Sequence, residues 1–246
     1  MAGQIMQSEA DGVDNVATPK FFIAVTAHIP YRMPLNPIYM PLQLGQEVHP
    51  YLDFGFTTDD TGDNISAPNG WYSELTGLYW LGKNVNADYN GLVYCRRHFA
   101  TANRVVRLFR RDCFDRVAKG YGICQLLSAY AVVVPRHKQY YIETIYSHDA
   151  HIFDAKQFAV TKQILIEAFS VYSTAFDTAR AYCCAHMFVM RAKRFDAYCE
   201  VLSELGQRLP LSDYEAFTAA TQAGWARYCS MCGSEPTSKI IRSCRW

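Results

Sequence analysis

Apolar and polar positions follow one another along the chain in the order typical of an α/β protein. Residues 21–26 are a continuous apolar run, and residues 91–94 are a second, shorter one. Runs of this kind are typical of strands buried on both faces of a parallel sheet. Residues 123–134 form a third apolar stretch, which ends at Val132–Pro135, and residues 185–190 are a fourth, short one. The first run leads into a loop that contains two prolines, where nucleotide-binding α/β folds hold their ligands.

Segments with helical spacing of apolar side chains separate these runs. They are residues 71–80, 154–174 and 191–206, and Asn69 or Ser73 would cap the first of them. The side chains expected to face the core are Leu75, Leu78 and Tyr79 in the first segment, and Phe195, Tyr198, Val201, Leu202 and Leu205 in the last. Strands that alternate with helices predict an α/β sandwich.

The domain organisation follows from the same pattern. Residues 1–18 are polar and acidic, with little to bury, so they predict a flexible N-terminal tail rather than a secretory signal. Neither an internal repeat nor a linker divides the remainder. Residues 19–246 are therefore expected to form a single domain.

Composition and charge exclude several classes of protein. The net charge of +1 over 246 residues gives the chain as a whole no electrostatic footprint for nucleic acid. The nine cysteines are odd in number and irregularly spaced, which indicates a reducing compartment and a cytoplasmic location. The sequence has no run of about eighteen apolar residues. Membrane association is therefore expected to be peripheral at most, at the inner face.

Two adjacent arginines follow the predicted strand at residues 91–94. A sugar-nucleotide transferase must stabilise the charge that grows on its diphosphate leaving group, and many such enzymes use a metal held by an Asp-x-Asp pair at a strand end. Here Arg96 and Arg97 stand in that place, and Asp88 lies before the strand. Guanidinium groups match phosphate oxygens in bidentate fashion, so an arginine can replace the metal. The alternative is a plain surface pair. Neighbouring residues of a strand point to opposite faces, so one of the two is expected to reach the phosphates.

A polar loop at residues 57–66 allows two interpretations. Its candidate ligand-binding residues are Asp59, Asp60, Thr61, Gly62, Asp63 and Asn64. Asp59 and Asp63 with Asn64 could hold Mg²⁺ or Ca²⁺. Alternatively, the loop recognises ribose or a base, with Gly62 allowing close approach of the backbone. Because a full calcium-loop pattern does not follow, recognition is the preferred interpretation, and no resident metal or other cofactor is expected.

Blocks along the chain resemble a bacterial family found in capsule, exopolysaccharide and O-antigen gene clusters and long filed as a domain of unknown function. The resemblance covers roughly residues 20–205, with the blocks in the family's order. The blocks are residues 22–31, 59–66, 74–80, 88–99, 140–146 and 186–190. Members with an assigned activity transfer galactofuranosyl groups from UDP-galactofuranose, and they have a variant GT-A fold.

The resemblance implies a GT-A-like mixed sheet flanked by helices, with a helical C-terminal part. It also implies transfer of a hexosyl group, with inversion, from a UDP-sugar donor to a glycan or lipid-linked acceptor. Thr26, His28 and Tyr31 would then help the 59–64 loop and Arg96 to hold the nucleotide. The candidate catalytic residues are Arg97, Glu143, Asp149 and His186, of which Glu143 has an aromatic setting suited to a base.

Two departures from the family pattern affect these expectations. The family's strand-end block usually reads His-Tyr-Arg-Arg, whereas this chain has Val93, Tyr94 and Cys95 before the arginines. From about residue 210 the sequence diverges from the family's helical end, which leaves the acceptor contacts open. Two other functions therefore stay in view. One is a non-catalytic protein that binds sugar nucleotides or glycans, and the other is a nucleotide hydrolase with a metal on Asp59 and Asp63.

Overall fold

A computed structural model gives the architecture of the chain. It describes residues 19–135, 137–139, 141–144, 147, 162–164, 166–167, 181–183, 187–208, 238–241 and 243–245. The predicted tail at residues 1–18, most of the predicted helix at 154–174 and most of the sequence after residue 210 lie outside these ranges.

The elements alternate between strands and helices in the first half of the chain. The strands are β1 Phe21–Ala27, β2 Tyr39–Gln43, β3 Thr57–Thr58, β4 Tyr89–Tyr94, β5 Arg97–Phe99, β6 Val132–Pro135, β7 His137–Gln139, β8 Ala181–Cys183, β9 Phe188–Arg191, β10 Ser238–Ile241 and β11 Ser243–Arg245. The helices are α1 Asn69–Tyr72, α2 Glu74–Asn84, α3 Arg104–Phe109, α4 Gly120–Ala129 and α5 Ala192–Arg208, with a 3₁₀ turn at Phe114–Arg116.

The central sheet is mixed, as the family resemblance implies. Its main path runs β10-β6-β9-β4-β1-β2-β3, and β5 adds β11 beside β4 to make nine strands among the described residues. Strands β3, β2, β1 and β4 are mutually parallel. Strand β9 runs antiparallel to both β4 and β6, while β10 is parallel to β6. The short strands β7 and β8 form a separate antiparallel pair.

Apolar side chains cover both faces of the sheet, which explains the continuous apolar runs of β1 and β4. One face packs against α2 and α5; its largest fully buried side chains include Leu42, Leu81, Leu92, Phe188 and Phe195. The other face packs against α4 and the segment after the 3₁₀ turn; its core includes Ile23, Phe99, Ile123, Leu127 and Val189. The strands predicted at residues 21–26 and 91–94 are confirmed.

The helix predicted at residues 71–80 is present but interrupted. Ser73 separates α1 from α2 and has a φ of 47°, a backbone conformation that ends one helical turn before the next begins. Of the two predicted caps, Ser73 occupies the N-cap position of α2, whereas Asn69 is the first residue of α1; neither helix start has a side-chain cap hydrogen bond. The Asn69 amide instead donates to the Ser73 carbonyl at 3.0 Å and to the Thr76 hydroxyl at 2.8 Å. Leu75 and Leu78 are buried as predicted, and Tyr79 is half-buried.

Two further predictions can be compared with the structure. The loop predicted over residues 136–144 is wrong for its first part, because β7 finds an antiparallel partner in β8 and so satisfies its backbone groups in a ladder. The amphipathic segment at residues 191–206 is confirmed as α5. Phe195, Tyr198 and Leu202 are buried on its core face.

Candidate functional site

The carboxyl ends of four parallel strands meet at one edge of the sheet. The residues that follow β2, β3 and β4 are Leu44, Asp59 and Cys95, and each of their amides donates to a carbonyl of a neighbouring strand at 3.0 Å. His28 follows β1 at the same level. Open α/β sheets bind ligands outside such an edge, so this edge is the candidate site.

The residues predicted at the end of β1 differ in exposure. His28 is exposed and Tyr31 is half-buried in the loop that follows the strand. Thr26 is buried, and its hydroxyl donates to the Val93 carbonyl at 3.2 Å. Thr26 therefore ties β1 to β4 just below the edge, whereas His28 faces solvent.

The two arginines lie on a tight hairpin. Tyr94 of β4 pairs with Arg97 of β5 in antiparallel register, so Cys95 and Arg96 form a two-residue turn between the strands. Arg96 is exposed in that turn, whereas Arg97 is half-buried at the start of β5. No carboxylate of the described residues forms an ion pair with Arg96. The strand-end prediction is thus refined, since the chain turns back on itself between the two arginines.

The turn also brings a thiol close to the Arg96 guanidinium. Cys95 is buried, and burial raises the pKa of its thiol, while the positive charge of Arg96 acts in the opposite direction. The neutral thiol is therefore the favoured form, and it does not compensate the charge of Arg96.

The Asp59 carboxylate is buried and fully engaged. One oxygen accepts from the Gln46 amide at 3.2 Å and the Ser66 hydroxyl at 2.7 Å. The other accepts from the Gly45 amide at 3.0 Å and the Thr76 hydroxyl at 2.7 Å. These bonds join the loop after β2 and the first turn of α2 to the end of β3. Asp59 therefore holds the edge together, a role that the motif alone did not reveal.

The rest of the predicted loop is fastened to α2. The Trp80 indole donates to the Thr61 hydroxyl at 2.9 Å, and the Tyr79 hydroxyl donates to Asp63 at 3.0 Å. The Asn64 amide donates to the Asp60 carbonyl at 2.9 Å. The carboxylate of Asp60 is different, because it is exposed and accepts no hydrogen bond from the described residues. Asp63 is exposed as well, but its carboxylate accepts from Tyr79, so Asp60 is the exposed acidic side chain of this loop that makes no such contact with the described residues.

Gly62 lets this loop approach α2. Its φ is +61°, and a Cβ there would lie 2.0 Å from Asn84 Oδ1. We expect Gly62→Ala to lower the free energy of unfolding by about 2–3 kcal/mol, because it adds a clash to an unfavourable φ. Gly55→Ala, with a φ of +69° and open space around it, isolates the backbone effect, and Gly70→Ala, also in open space, is the neutral control. Urea unfolding measures all three, and an equal loss for Gly62 and Gly55 would contradict the predicted clash.

His98 is a buried histidine that sequence reasoning did not select as functional. It lies on β5 with its ring 6.0 Å from the ring of Tyr39 and 6.0 Å from that of Phe114. Burial lowers the pKa of His98 to about 4, and the Cys95 backbone acts in the opposite direction. The imidazole is therefore neutral at pH 7, and the buried side chain of the hairpin that carries Arg96 adds no charge to it.

His98 makes stability depend on pH. Between about pH 6.5 and 4 the unfolded chain binds a proton that the folded chain does not, so stability falls as the pH falls through this window. We expect His98→Phe to abolish about 2–3 kcal/mol of that loss, measured by urea unfolding at pH 7 and pH 4.5. His49→Ala, at an exposed histidine, should keep the parent profile. An unchanged loss in His98→Phe would refute the assignment.

Of the three other predicted catalytic residues, one lies within the described part of the chain. Glu143 is half-buried in the segment at residues 141–144. Asp149 and His186 lie outside the described residues, so they stay predictions. Within the described ranges, no group of three or more His, Cys, Asp or Glu side chains is placed to hold a metal ion. No helix there is long and apolar enough to cross a membrane.

Comparisons with known proteins agree with this architecture. Residues 22–223 match the family described as domain of unknown function DUF4422, and the chain belongs to that family. The structure of the WbbM bifunctional glycosyltransferase, in its apo form, superposes with a TM-score of 0.76 at 22% sequence identity. The superposition covers 91% of this chain and 45% of that one. It confirms a GT-A-like fold with a mixed sheet between helices. No curated protein sequence matches the chain.

Proposed function

We propose that the chain is a glycosyltransferase that uses a sugar-nucleotide donor. The observation that carries the proposal is the exposed Arg96, in a tight turn at the carboxyl edge of a GT-A-like sheet. A guanidinium at that edge suits the diphosphate of a donor. His28, exposed at the end of the neighbouring strand, would add a second polar contact to the nucleotide.

Finer features of the proposal come from the family resemblance. The donor would be UDP-galactofuranose, and the acceptor a polysaccharide or a glycolipid. Transfer would invert the anomeric centre and need no metal, since Arg96 supplies the positive charge. Glu143, Asp149 and His186 are the candidates for the base that takes the acceptor proton. The reaction would take place in the cytoplasm, beside the inner face of the membrane.

The contacts of Asp59 weigh against the metal-dependent hydrolase. Each oxygen of its carboxylate already accepts two hydrogen bonds from the chain. Asp63 accepts one from Tyr79. A metal on Asp59 would have to displace backbone and hydroxyl donors that hold the edge together. The exposed Asp60 is better placed to meet a ligand.

The experiment is a transfer assay with purified protein. UDP-galactofuranose and UDP-galactopyranose are each offered with a galactosyl acceptor, with and without EDTA, and UDP release and glycosylated product are measured. Product from one donor, unchanged by EDTA, would support the proposal in full. Full dependence on a divalent ion would overturn the role of Arg96 in place of a metal. UDP binding by calorimetry without turnover would instead favour the non-catalytic binding protein.

A further inference from the structure

Helix α3 exposes its apolar side chains. Val105, Leu108 and Phe109 have 62%, 76% and 79% of their surface exposed, and no residue of the helix is buried. Their spacing of three and four residues places them on one side of the helix. Surface helices ordinarily turn such a stripe to the core, so α3 is oriented the opposite way.

Arginines surround this apolar stripe. Residues 101–119 contain six basic residues, Arg104, Arg107, Arg110, Arg111, Arg116 and Lys119, against Asp112 and Asp115. The segment therefore carries a net charge of +4, although the whole chain carries +1. Asp112 is paired with Arg32 at 2.6 Å, and Asp115 lies 3.8 Å from Arg110, so Arg104 and Arg111 are the exposed arginines of α3 and its end without an ion pair among the described residues. We call the exposed residues of α3 together with Arg110 and Arg111 the α3 patch.

The α3 patch is held in place by capping contacts. At its start the Asn103 side chain accepts from the Val105 and Val106 amides at 2.9 and 3.2 Å. At its end the Arg116 guanidinium donates twice to the Arg110 carbonyl, at 2.8 and 2.6 Å. A six-residue helix has little stability of its own, so these caps fix an apolar stripe in a position where it meets solvent.

We propose that the α3 patch docks the protein on a membrane surface rich in anionic lipids. An apolar stripe flanked by arginines has the chemistry of an interfacial helix, which inserts its apolar residues between headgroups while its cations meet lipid phosphates. The patch offers three apolar side chains, whereas a stable protein interface buries roughly 800 Å² and about 20–30 residues on each partner. Leu108 and Phe109 would have no apolar counterpart along a nucleic-acid backbone.

The position of the α3 patch connects docking to the candidate site. Strand β5 leads directly from the Arg96 turn to α3, and Arg32, in the loop after β1, pairs with Asp112 and lies 4.4 Å over the Phe114 ring. Docking through α3 would therefore hold this side of the sheet edge near the membrane. The proposal does not depend on the transferase activity, because vesicle binding is measured without any donor.

Vesicle flotation with the full chain tests the proposal. We expect binding to phosphatidylglycerol-containing vesicles, little binding to pure phosphatidylcholine, and release by high salt. Arg104→Gln with Arg111→Gln should weaken binding roughly thirtyfold, at about fivefold per arginine. Leu108→Ser with Phe109→Ser should abolish it at unchanged thermal stability. Lys193→Gln and Tyr51→Ser, exposed outside the patch, should bind like the parent.

Several outcomes would overturn the proposal. One is equal binding to neutral and anionic vesicles, and another is unchanged binding by the Leu108 and Phe109 double variant. A third is that the parent protein forms a dimer in the absence of lipid and the double variant is a monomer. Oligonucleotide binding stronger than vesicle binding, and lost in the arginine double variant, would assign the patch to nucleic acid instead.

Discussion

Arg96→Ala is expected to lower kcat/KM for the sugar-nucleotide donor by roughly a thousandfold, at unchanged thermal stability. The loss follows from removing a charge that meets the leaving diphosphate as the glycosidic bond breaks, when the arginine matters most. Arg96 is exposed and has no ion-pair partner among the described residues. Its removal therefore leaves no buried charge behind, and the fold has no reason to weaken.

Two variants separate the chemistry of Arg96 from its charge. Arg96→Lys keeps the charge but not the fork of donors that matches two phosphate oxygens, so we expect an intermediate loss, mainly in kcat. Lys193→Ala is the matched control. It removes an exposed cation from the start of α5. This helix begins directly after Arg191, which pairs with the first residue of β4, Tyr89, at the edge of the sheet opposite to the candidate site. Lys193→Ala should therefore leave activity unchanged.

Arg97 provides the decisive comparison. It is half-buried on β5, and its backbone pairs with Tyr94 on one side and Arg245 on the other. Arg97→Ala keeps this backbone pairing but removes a half-buried side chain, so we expect it to lower thermal stability as well as activity. If Arg97→Ala lost activity a thousandfold with stability intact while Arg96→Ala stayed active, the assignment of the two arginines would be reversed.

Buried strands were predictable from sequence because their signal is local. The residues of β1 and β4 are apolar at successive positions, which predicts that both faces of each strand are buried. In the structure, apolar side chains pack on both faces of these strands. The break at Ser73 was not predictable in the same way. Helical spacing continues through it, and the reason for the break is the bonding of Asn69 to the Ser73 carbonyl and to Thr76.

The candidate site also has features that local sequence predicts and features that depend on distant residues. The arginines could be located because they follow a recognisable strand, but the turn between them depends on the pairing of β5 with β4 and β11. The roles of Asp59 and Asp60 could not be separated from the motif. Which carboxylate turns inward is set by Gly45, Ser66 and Thr76, distant positions that a local pattern does not connect.

Asp59→Ala is expected to lower the free energy of unfolding by about 3–5 kcal/mol, the largest stability effect predicted for this chain. It would leave the Gly45 and Gln46 amides and the Ser66 hydroxyl without their acceptor, while the Thr76 hydroxyl would keep only the Ser73 carbonyl at 3.1 Å. Leaving buried donors unpaired costs about 1–3 kcal/mol each before relaxation, and water entering the space would recover part of that cost. Urea unfolding at pH 7 gives the measurement.

The neighbouring carboxylate is the control for Asp59. Asp60→Ala removes an exposed group that accepts no hydrogen bond from the described residues, so its effect on stability should stay within about 0.5 kcal/mol. The stability loss of Asp59→Asn should fall between those of the two alanine variants. Its amide NH₂ group would replace one carboxylate oxygen and would face hydrogen-bond donors instead of accepting from them. UDP titrations measure a different effect, the direct contact with the nucleotide. There we expect Asp60→Ala to weaken UDP binding although the protein stays folded. A stable Asp59→Ala variant that loses UDP binding would show instead that Asp59 contacts the nucleotide.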